Sequence, residues 1–176
     1  YPKQPKFPSK DNPNHGKFYV PILVPNPMLF SATSKSSGVI TRPVGGGAPF
    51  PWVFDTTIEF GAGTGGTASV FNDGTADTWP IITLRGIVSN PYILSVETGK
   101  NMKLNYVTVN TTDVIVIDMK AKTIMLNGVT NLLSTKDTGS DWFSLPPDSN
   151  TLKFNTSSSS DTGTMEVTAY PAYLGV

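Results

Sequence analysis

Turn-forming residues interrupt this chain so often that long helices do not fit between them. The 16 glycines and 15 prolines separate short apolar runs about every ten residues, a spacing typical of β-sandwiches and barrels. Apolar residues at i, i+3, i+4 and i+7 are not found in any ten-residue window that lacks a Gly, a Pro or a β-branched cluster. The sequence therefore predicts an all-β fold.

Regular strand patterns begin at about Thr67, with turn signals between them. Asn72-Asp73-Gly74, Thr98-Gly99, Asn127-Gly128 and Pro147-Asp148 supply the positive-φ or proline-fixed backbone that tight turns need. The predicted strands are Ala68–Phe71, Pro80–Arg85, Tyr92–Val96, Met102–Val107, Asp113–Met119, Thr123–Leu126, Trp142–Leu145, Thr151–Phe154 and Thr164–Tyr170.

The order of apolar and polar residues predicts which strand faces are buried. Met165, Val167 and Ala169 alternate with polar residues, which indicates one buried and one solvated face. The unbroken apolar run 114–117 predicts a central strand covered on both faces. Because no crossover helices separate the strands, we expect antiparallel pairing in a two-sheet sandwich of jelly-roll type.

The first third of the chain has a different character. Residues 1–16 are polar and proline-rich, which predicts an extended N-terminal arm. Phe18–Val24 is a candidate strand that Pro21 restricts to a sheet edge or a bulge. Residues 31–51 are rich in Ser, Gly and Pro and are interpreted as a linker or a long surface connection. The predicted division is an arm and linker over 1–66 and a β-sandwich domain over 67–176.

Composition excludes several classes of function. The chain contains no cysteine, so it has no disulfides and no thiolate metal sites. Lys plus Arg equals Asp plus Glu at 13 each, which argues against nucleic acid as a partner. No apolar run approaches the roughly 20 residues of a membrane helix, so membrane insertion is not expected. The start at Tyr1-Pro2-Lys3 is interpreted as that of a fragment or processed piece.

An ordered set of motifs gives a more specific hypothesis. Their order resembles the distal tail (Dit-like) proteins of long-tailed bacteriophages, the siphophage tail components. The motifs are residues 26–31 (NPMLFS), 70–80 (VFNDGTADTWP), 82–86 (ITLRG), 90–91 (NP), 115–118 (IVID), 123–128 (TIMLNG), 140–146 (SDWFSLP) and 150–154 (NTLKF).

The resemblance implies a galectin-like C-terminal sandwich that follows the end of a ring-forming domain, most of which is expected to lie upstream of Tyr1. It also implies a structural protein of the phage tail tip or baseplate, made in the cytoplasm of the bacterial host. Such a protein joins the tail tube to the adsorption apparatus by contacts with other tail proteins and with copies of itself. Neither enzymatic activity nor a cofactor or metal is expected.

Three patterns in the sequence are similar to known chemical sites. Gly61, Gly63 and Gly66 match a dinucleotide-binding spacing, but a strand is predicted where that motif needs a helix. The single histidine, His15, lies in the proline-rich arm, where a catalytic triad or zinc site has no rigid support. Asp113 and Asp118 face opposite sides of a regular strand. A glycosidase pair would need Glu97, Asp141 or Glu166 as a partner across the sheet.

Aromatic residues support the main alternative, a carbohydrate-binding module that recognises host cell-wall polysaccharide. The candidates for protein interfaces or sugar stacking are Trp52, Trp79, Trp142 and Tyr92. Trp142 is interpreted primarily as a core or interface residue. A carbohydrate site predicts an exposed aromatic beside Asn, Asp or Arg on a concave face, whereas a structural role predicts apolar patches on sheet faces or arms.

Overall fold

The computed structural model describes residues 28–43 and 66–174. These two ranges form twelve β-strands and one 3₁₀ turn, Leu133–Thr135. No helix in them is long and apolar enough to cross a membrane. The strands are β1 Met28–Phe30, β2 Lys35–Thr41, β3 Thr67–Asn72, β4 Ile81–Arg85, β5 Tyr92–Ser95, β6 Asn101–Lys103, β7 Val114–Asp118, β8 Thr123–Leu126, β9 Thr130–Asn131, β10 Asp148–Asn155, β11 Thr164–Ala169 and β12 Ala172–Leu174.

The strands form two main sheets and a ribbon. One sheet has six strands in the order β2-β11-β4-β7-β8-β9, and the other has four in the order β3-β10-β5-β6. The ribbon pairs β1 with β12. Every strand pair in the described ranges is antiparallel. One continuous core joins the inner faces of both sheets, so the predicted antiparallel β-sandwich is confirmed.

The alternation of apolar and polar residues along the strands places the apolar side chains on the buried face, as predicted. In β11, Met165, Val167 and Ala169 are buried, and the residues between them are half-buried. The fully buried Phe143, Phe154 and Ile82 are among the largest core side chains. Burial of one such side chain contributes about 1.5–3 kcal/mol, so the two inner faces supply most of the energy that holds the sheets together.

The central strand was predicted correctly in position but not in its burial. β7 pairs with β4 on one side and β8 on the other. Its Ile115 and Ile117 are buried, whereas Val114 and Val116 are only half-buried. The prediction of a strand covered on both faces is therefore wrong, because only the inner face of the six-stranded sheet packs against the core.

The predicted turn at Asn127-Gly128 has the positive-φ backbone that its residues favour, whereas none of Asn72, Asp73 and Gly74 has a positive φ. Asn127 and Gly128 have φ of 52° and 70°, as a tight hairpin between β8 and β9 requires. At the other turn, the buried Asn72 accepts a hydrogen bond at Oδ1 from the Gly74 N–H (3.1 Å). Its Nδ2 donates to the carbonyls of Ala76 and Leu145.

The linker interpretation of residues 31–51 is wrong for Lys35–Thr41. These residues form β2, which pairs with β11 at the edge of the six-stranded sheet. An edge strand with one half-buried face needs few apolar residues, and Ile40 supplies the contact with the core. The division of the chain at residue 66 stays a prediction. The N-terminal arm and the candidate strand Phe18–Val24 lie outside the described residues.

Two further strand predictions need correction. Trp142–Leu145 does not form a strand, because only Leu145 is paired, in an isolated bridge with Thr78. The predicted strand Met102–Val107 is shorter than expected, since β6 ends at Lys103. Beyond that point Leu104 and Val107 make separate bridges to Lys136 and Ser89. Residues 104–107 and 142–145 both contribute side chains that pack against the core, but they make only isolated bridges and no continuous strand pairing.

Candidate functional site

The predicted aromatic residues lie in different environments. Trp79 and Trp142 are half-buried and pack against the core, whereas Trp52 lies outside the described residues. Tyr92 is half-buried at the start of β5, on the outer face of the four-stranded sheet. The role of these four residues at an interface or in sugar stacking stays a prediction, and of the three described residues Tyr92 is the one that does not pack against the core cluster.

Strand register places polar side chains directly beside Tyr92. Asn155 of β10 is opposite Tyr92 on one side, and Lys103 of β6 is opposite it on the other. Directly paired residues project from the same face of a sheet, with Cβ atoms about 5 Å apart. The three residues therefore form a row across the outer face. Sequence analysis identified Tyr92 but not its neighbours, because register is not visible in the sequence.

Two grooves meet at this row. The first, here called the amide groove, has a volume of about 480 Å³. The second, the lysine groove, has a volume of about 370 Å³. Tyr92 and Asn155 line both, so they form the boundary between the grooves. The amide groove is also lined by Asn90, Lys103, Asn105 and Ser157, and the lysine groove by Pro43, Thr67, Leu94 and Lys153.

One wall of the amide groove is held by a buried carboxylate. Asp161 accepts hydrogen bonds from the Ser89 backbone N–H (2.7 Å) and hydroxyl (2.9 Å). The Ser157 N–H and hydroxyl both donate to the Ser89 carbonyl, and Asn90 Nδ2 donates to Ser157 Oγ (3.2 Å). Arg42 Nε in turn donates to the Asp161 carbonyl (2.8 Å). This network fixes the serine-rich loop against the start of the groove.

Asp137 holds the opposite wall. It accepts hydrogen bonds from the Gly139 N–H (3.0 Å) and Asn105 Nδ2 (3.2 Å). It also forms an ion pair with Lys103 Nζ at 3.7 Å. The Gly139 N–H and Asn105, with a smaller contribution from Lys103, lower the pKa of the Asp137 carboxyl below its ordinary value. The carboxylate is therefore a stable anchor for two groove residues at neutral pH.

The carboxylates considered as catalytic candidates have structural partners. Asp113 accepts hydrogen bonds from Asn127 Nδ2 (3.2 Å) and the Asn110 N–H (3.2 Å), and the Asn127 bond contributes most to lowering its pKa. Asp118 accepts from the N–H groups of Lys120 and Ala121 in the turn after β7. A general acid needs a raised pKa, so the shift at Asp113 has the wrong direction for that role.

Of the three carboxylates considered as partners across the sheet, Asp141 is exposed, and the other two hydrogen-bond within the sandwich. Glu97 accepts a hydrogen bond from the Thr151 N–H (2.8 Å), and Glu166 from the Ser36 hydroxyl (2.8 Å). Gly66 leads directly into strand β3, as predicted, and not into a helix. The other two glycines of that motif, and His15, lie outside the described residues. Residues 28–43 and 66–174 contain no group of three or more side chains suited to hold a metal ion.

Large apolar side chains are exposed on the ribbon of β1 and β12. Leu29 is 63% exposed and Leu174 is 60% exposed. Leu29 is paired with Tyr173, and Leu174 with Met28, so the two leucines project from opposite faces of the ribbon. The ribbon is fixed to the sandwich, because the Ala76 N–H donates to the Ala172 carbonyl (3.0 Å). This apolar surface fits the pattern that a structural role predicts.

Comparison with known proteins identifies the class. Residues 73–169 match the family of the siphovirus-type tail component, C-terminal domain. The match covers more than half of the chain, so this chain belongs to the siphovirus-type tail component family. The resemblance to Dit-like proteins is thereby confirmed, and the chain is a structural protein of the phage tail.

The fold is similar to that of SPP1 Dit, a solved protein described as a paradigm of the hub adsorption apparatus in phages that infect Gram-positive bacteria. The TM-score is 0.59 at 13% sequence identity, and the similarity covers 97% of this chain. This chain matches 59% of the length of SPP1 Dit. No match is found among curated protein sequences.

Proposed function

We propose that this chain joins the tail tube to the adsorption apparatus at the tail tip, through contacts with other tail proteins and with copies of itself. The observation that carries the proposal is the family match over residues 73–169, which spans most of the sandwich. A supporting observation is the shared fold with SPP1 Dit, a protein described as part of a hub. The role is architectural, and no catalytic step is assigned to it.

The β1–β12 ribbon is the surface best suited to such contacts. Apolar surface removed from water gains about 25 cal/mol per Å², and Leu29 and Leu174 present such surface on both faces of the ribbon. A partner that covers either leucine gains free energy that the isolated chain lacks. Proteins of virus tails need contacts of this kind, because each subunit must hold several neighbours at once.

The ribbon is also held rigidly, which lowers the entropic cost of docking. The Ser31 N–H donates to the Pro171 carbonyl (2.8 Å), and the Leu174 N–H donates to Thr75 Oγ1 (3.2 Å). Lys120 Nζ lies 3.9 Å from the centre of the Phe30 ring. The first contact joins the two strands of the ribbon to each other, and the other two attach β12 and β1 to the sandwich.

Complementation of a phage that lacks its own copy of the gene tests this proposal. The full-length protein is supplied with Leu29→Glu and Leu174→Glu together, and completed tails are counted by electron microscopy. Loss of a central apolar contact costs about 2 kcal/mol or more, so we expect at least a tenfold drop in completed tails.

Val129→Glu provides the matched control. Val129 is 82% exposed at the turn between β8 and β9, so the same charge is added away from the ribbon, and tail number should stay near the wild-type level. A normal tail count for the double variant, with folding verified by circular dichroism, would contradict the assignment of the ribbon as a contact surface.

A further inference from the structure

The two grooves beside Tyr92 have the size of a ligand site. Known small-molecule pockets have volumes of about 300–1,000 Å³, and the amide and lysine grooves, at about 480 and 370 Å³, both fall in this range. Tyr92 is at their boundary. Residues two apart along a strand are about 6.6 Å apart, so Leu94 in the lysine groove lies one repeat from Tyr92. The paired grooves therefore suit an elongated ligand better than a compact one.

The groove side chains offer unused hydrogen-bonding atoms. The Thr156 N–H donates to Asn155 Oδ1 (2.9 Å), while Asn155 Nδ2 has no partner within the described ranges. Asn90 and Asn105 use their Nδ2 atoms in the groove walls, which leaves both Oδ1 atoms to accept. The Tyr92 hydroxyl has no hydrogen-bond partner in the described part of the chain. Asparagine amide donors and acceptors without a partner among the described residues therefore lie around the ring of Tyr92.

The walls are organised before any ligand arrives. Asn90 adopts a positive φ of 46°, a backbone state that costs energy and is often found at functional sites. Asp161, through Ser89, fixes the loop that contains Ser157. Asp137 fixes Lys103 and Asn105 on the other side. Because these side chains are already ordered, a ligand would lose less free energy in ordering them.

The charged side chains that line the grooves indicate which class of ligand could bind there. Their charged lining residues in the described ranges are Lys103 and Lys153, and no carboxylate lines either groove. Amides, hydroxyls and a phenol make up most of the remaining polar lining. Such a set suits a ligand with many hydroxyl groups that is uncharged or weakly acidic. The apolar face of a sugar ring matches the face of a tyrosine ring, and its hydroxyls match asparagine side chains.

We propose that this surface is a polysaccharide-binding site, in which one sugar ring stacks on Tyr92 and neighbouring units occupy the amide and lysine grooves. Asn155 and Asn90 hydrogen-bond the ring hydroxyls, and the ammonium groups of the two lysines donate hydrogen bonds to acidic substituents. A docked protein is the less favoured occupant, because interface centres are enriched in apolar and aromatic residues and depleted in lysine. The site is independent of the β1–β12 ribbon, so it goes beyond the architectural role.

An array of bacterial polysaccharides tests the proposal, followed by calorimetry with the best ligand. The array contains uncharged, uronic-acid-containing and polyol-phosphate polymers. The proposal expects binding to at least one sugar polymer, and an affinity that falls at least tenfold, or about 1.4 kcal/mol, in Tyr92→Ala. Tyr92→Phe keeps the ring and should bind within about threefold of wild type.

Further variants separate loss of binding from loss of folding. Asn155 is exposed, so Asn155→Ala should remain folded and still bind more weakly. Tyr170→Ala removes a different exposed tyrosine and should bind like wild type. Absence of binding to all three polymer classes would overturn the proposal. So would an affinity unchanged by Tyr92→Ala and Asn155→Ala, or a phage tail protein that occupies the grooves in place of a glycan.

Discussion

Asp161 and Ser89 are separated by 72 residues in the sequence and joined by two hydrogen bonds, from the Ser89 N–H at 2.7 Å and from its hydroxyl at 2.9 Å. Asp161 is only 6% exposed. Both carboxylate oxygens are therefore used inside the protein. The pair connects the serine-rich loop before β11 to the segment before β5, and so determines the shape of the amide groove.

Removal of this carboxylate should destabilise the fold. Asp161→Ala removes a buried carboxylate and leaves the half-buried Ser89 N–H without its acceptor, which costs about 1–3 kcal/mol. Urea unfolding of the chain measures the loss. Asp141 is exposed, so Asp141→Ala is the matched control and should change stability by less than about 0.5 kcal/mol. Equal losses in the two variants would show that the Asp161 contacts contribute nothing specific.

Gly74 tests the attachment of the ribbon. A Cβ atom at this position would lie 2.6 Å from the Ala172 nitrogen and 2.7 Å from its carbonyl carbon. Backbone atoms of β12 cannot move away without breaking the ribbon, so Gly74→Ala should cost about 2 kcal/mol or more.

Gly139→Ala is the control for this variant. A Cβ there meets only a side-chain oxygen of Asp137 at 3.4 Å, so the substitution should be nearly neutral. Thermal unfolding compares the two proteins. An unchanged melting temperature for Gly74→Ala would contradict the close approach of β12 to the turn after β3.

The packing between the sheets can be measured with a pair of phenylalanines. Phe143 is fully buried, whereas Phe71 is 52% exposed on the outer side of β3. Phe143→Ala should cost about 3–5 kcal/mol, because it removes apolar contacts and leaves a cavity. Phe71→Ala should cost less than about 1 kcal/mol. Chemical denaturation gives both values, and similar losses would contradict the placement of Phe143 between the sheets.

Acid should destabilise the protein in a defined pH range. The pKa of Asp113 in the folded chain is below its ordinary value of 3.8, and the unfolded chain therefore binds more protons at pH values between the two. Stability from this group is present above about pH 3.8 and is lost as the pH falls through the folded pKa. Asp137 acts in the same direction.

Asp113→Asn removes one of these titrating groups. Unfolding midpoints measured from pH 7 down to about pH 2.5 should decline less steeply for the variant than for the wild type. The two curves should run parallel above about pH 4 and should approach each other only below it, where the wild type loses the contribution of Asp113. Curves that stay parallel below about pH 4 would show that Asp113 does not contribute to acid sensitivity.

Local sequence patterns predicted most of the strands correctly. They failed for segments whose structure depends on hydrogen-bonded pairing with a strand that is distant in the sequence. The alternation in residues 164–169 and the Asn127-Gly128 turn are local signals, and both were interpreted correctly. β2 was missed because its sequence, KSSGVIT, has no clear alternation and gains its structure from β11. The opposite error occurred at Trp142–Leu145, where an apolar run packs on the core without a strand partner.

The groove site could be predicted only in part. Tyr92 is visible in the sequence as an aromatic near a strand start, but Asn155 and Lys103 lie beside it only because of the register of β10, β5 and β6. Asp161 and Asp137 support the walls through contacts that span tens of residues. No short-range sequence pattern connects these residues, so only the three-dimensional structure shows that they lie at one surface.

Immunogold electron microscopy of intact virions tests the central claim most directly. Antibodies raised against residues 66–174 should bind at the distal end of the tail, where the tube meets the adsorption apparatus. Pre-absorption of the antibodies with the purified chain should abolish the label. Gold particles on the capsid or distributed along the tail shaft, with the tail tip unlabelled, would contradict the account.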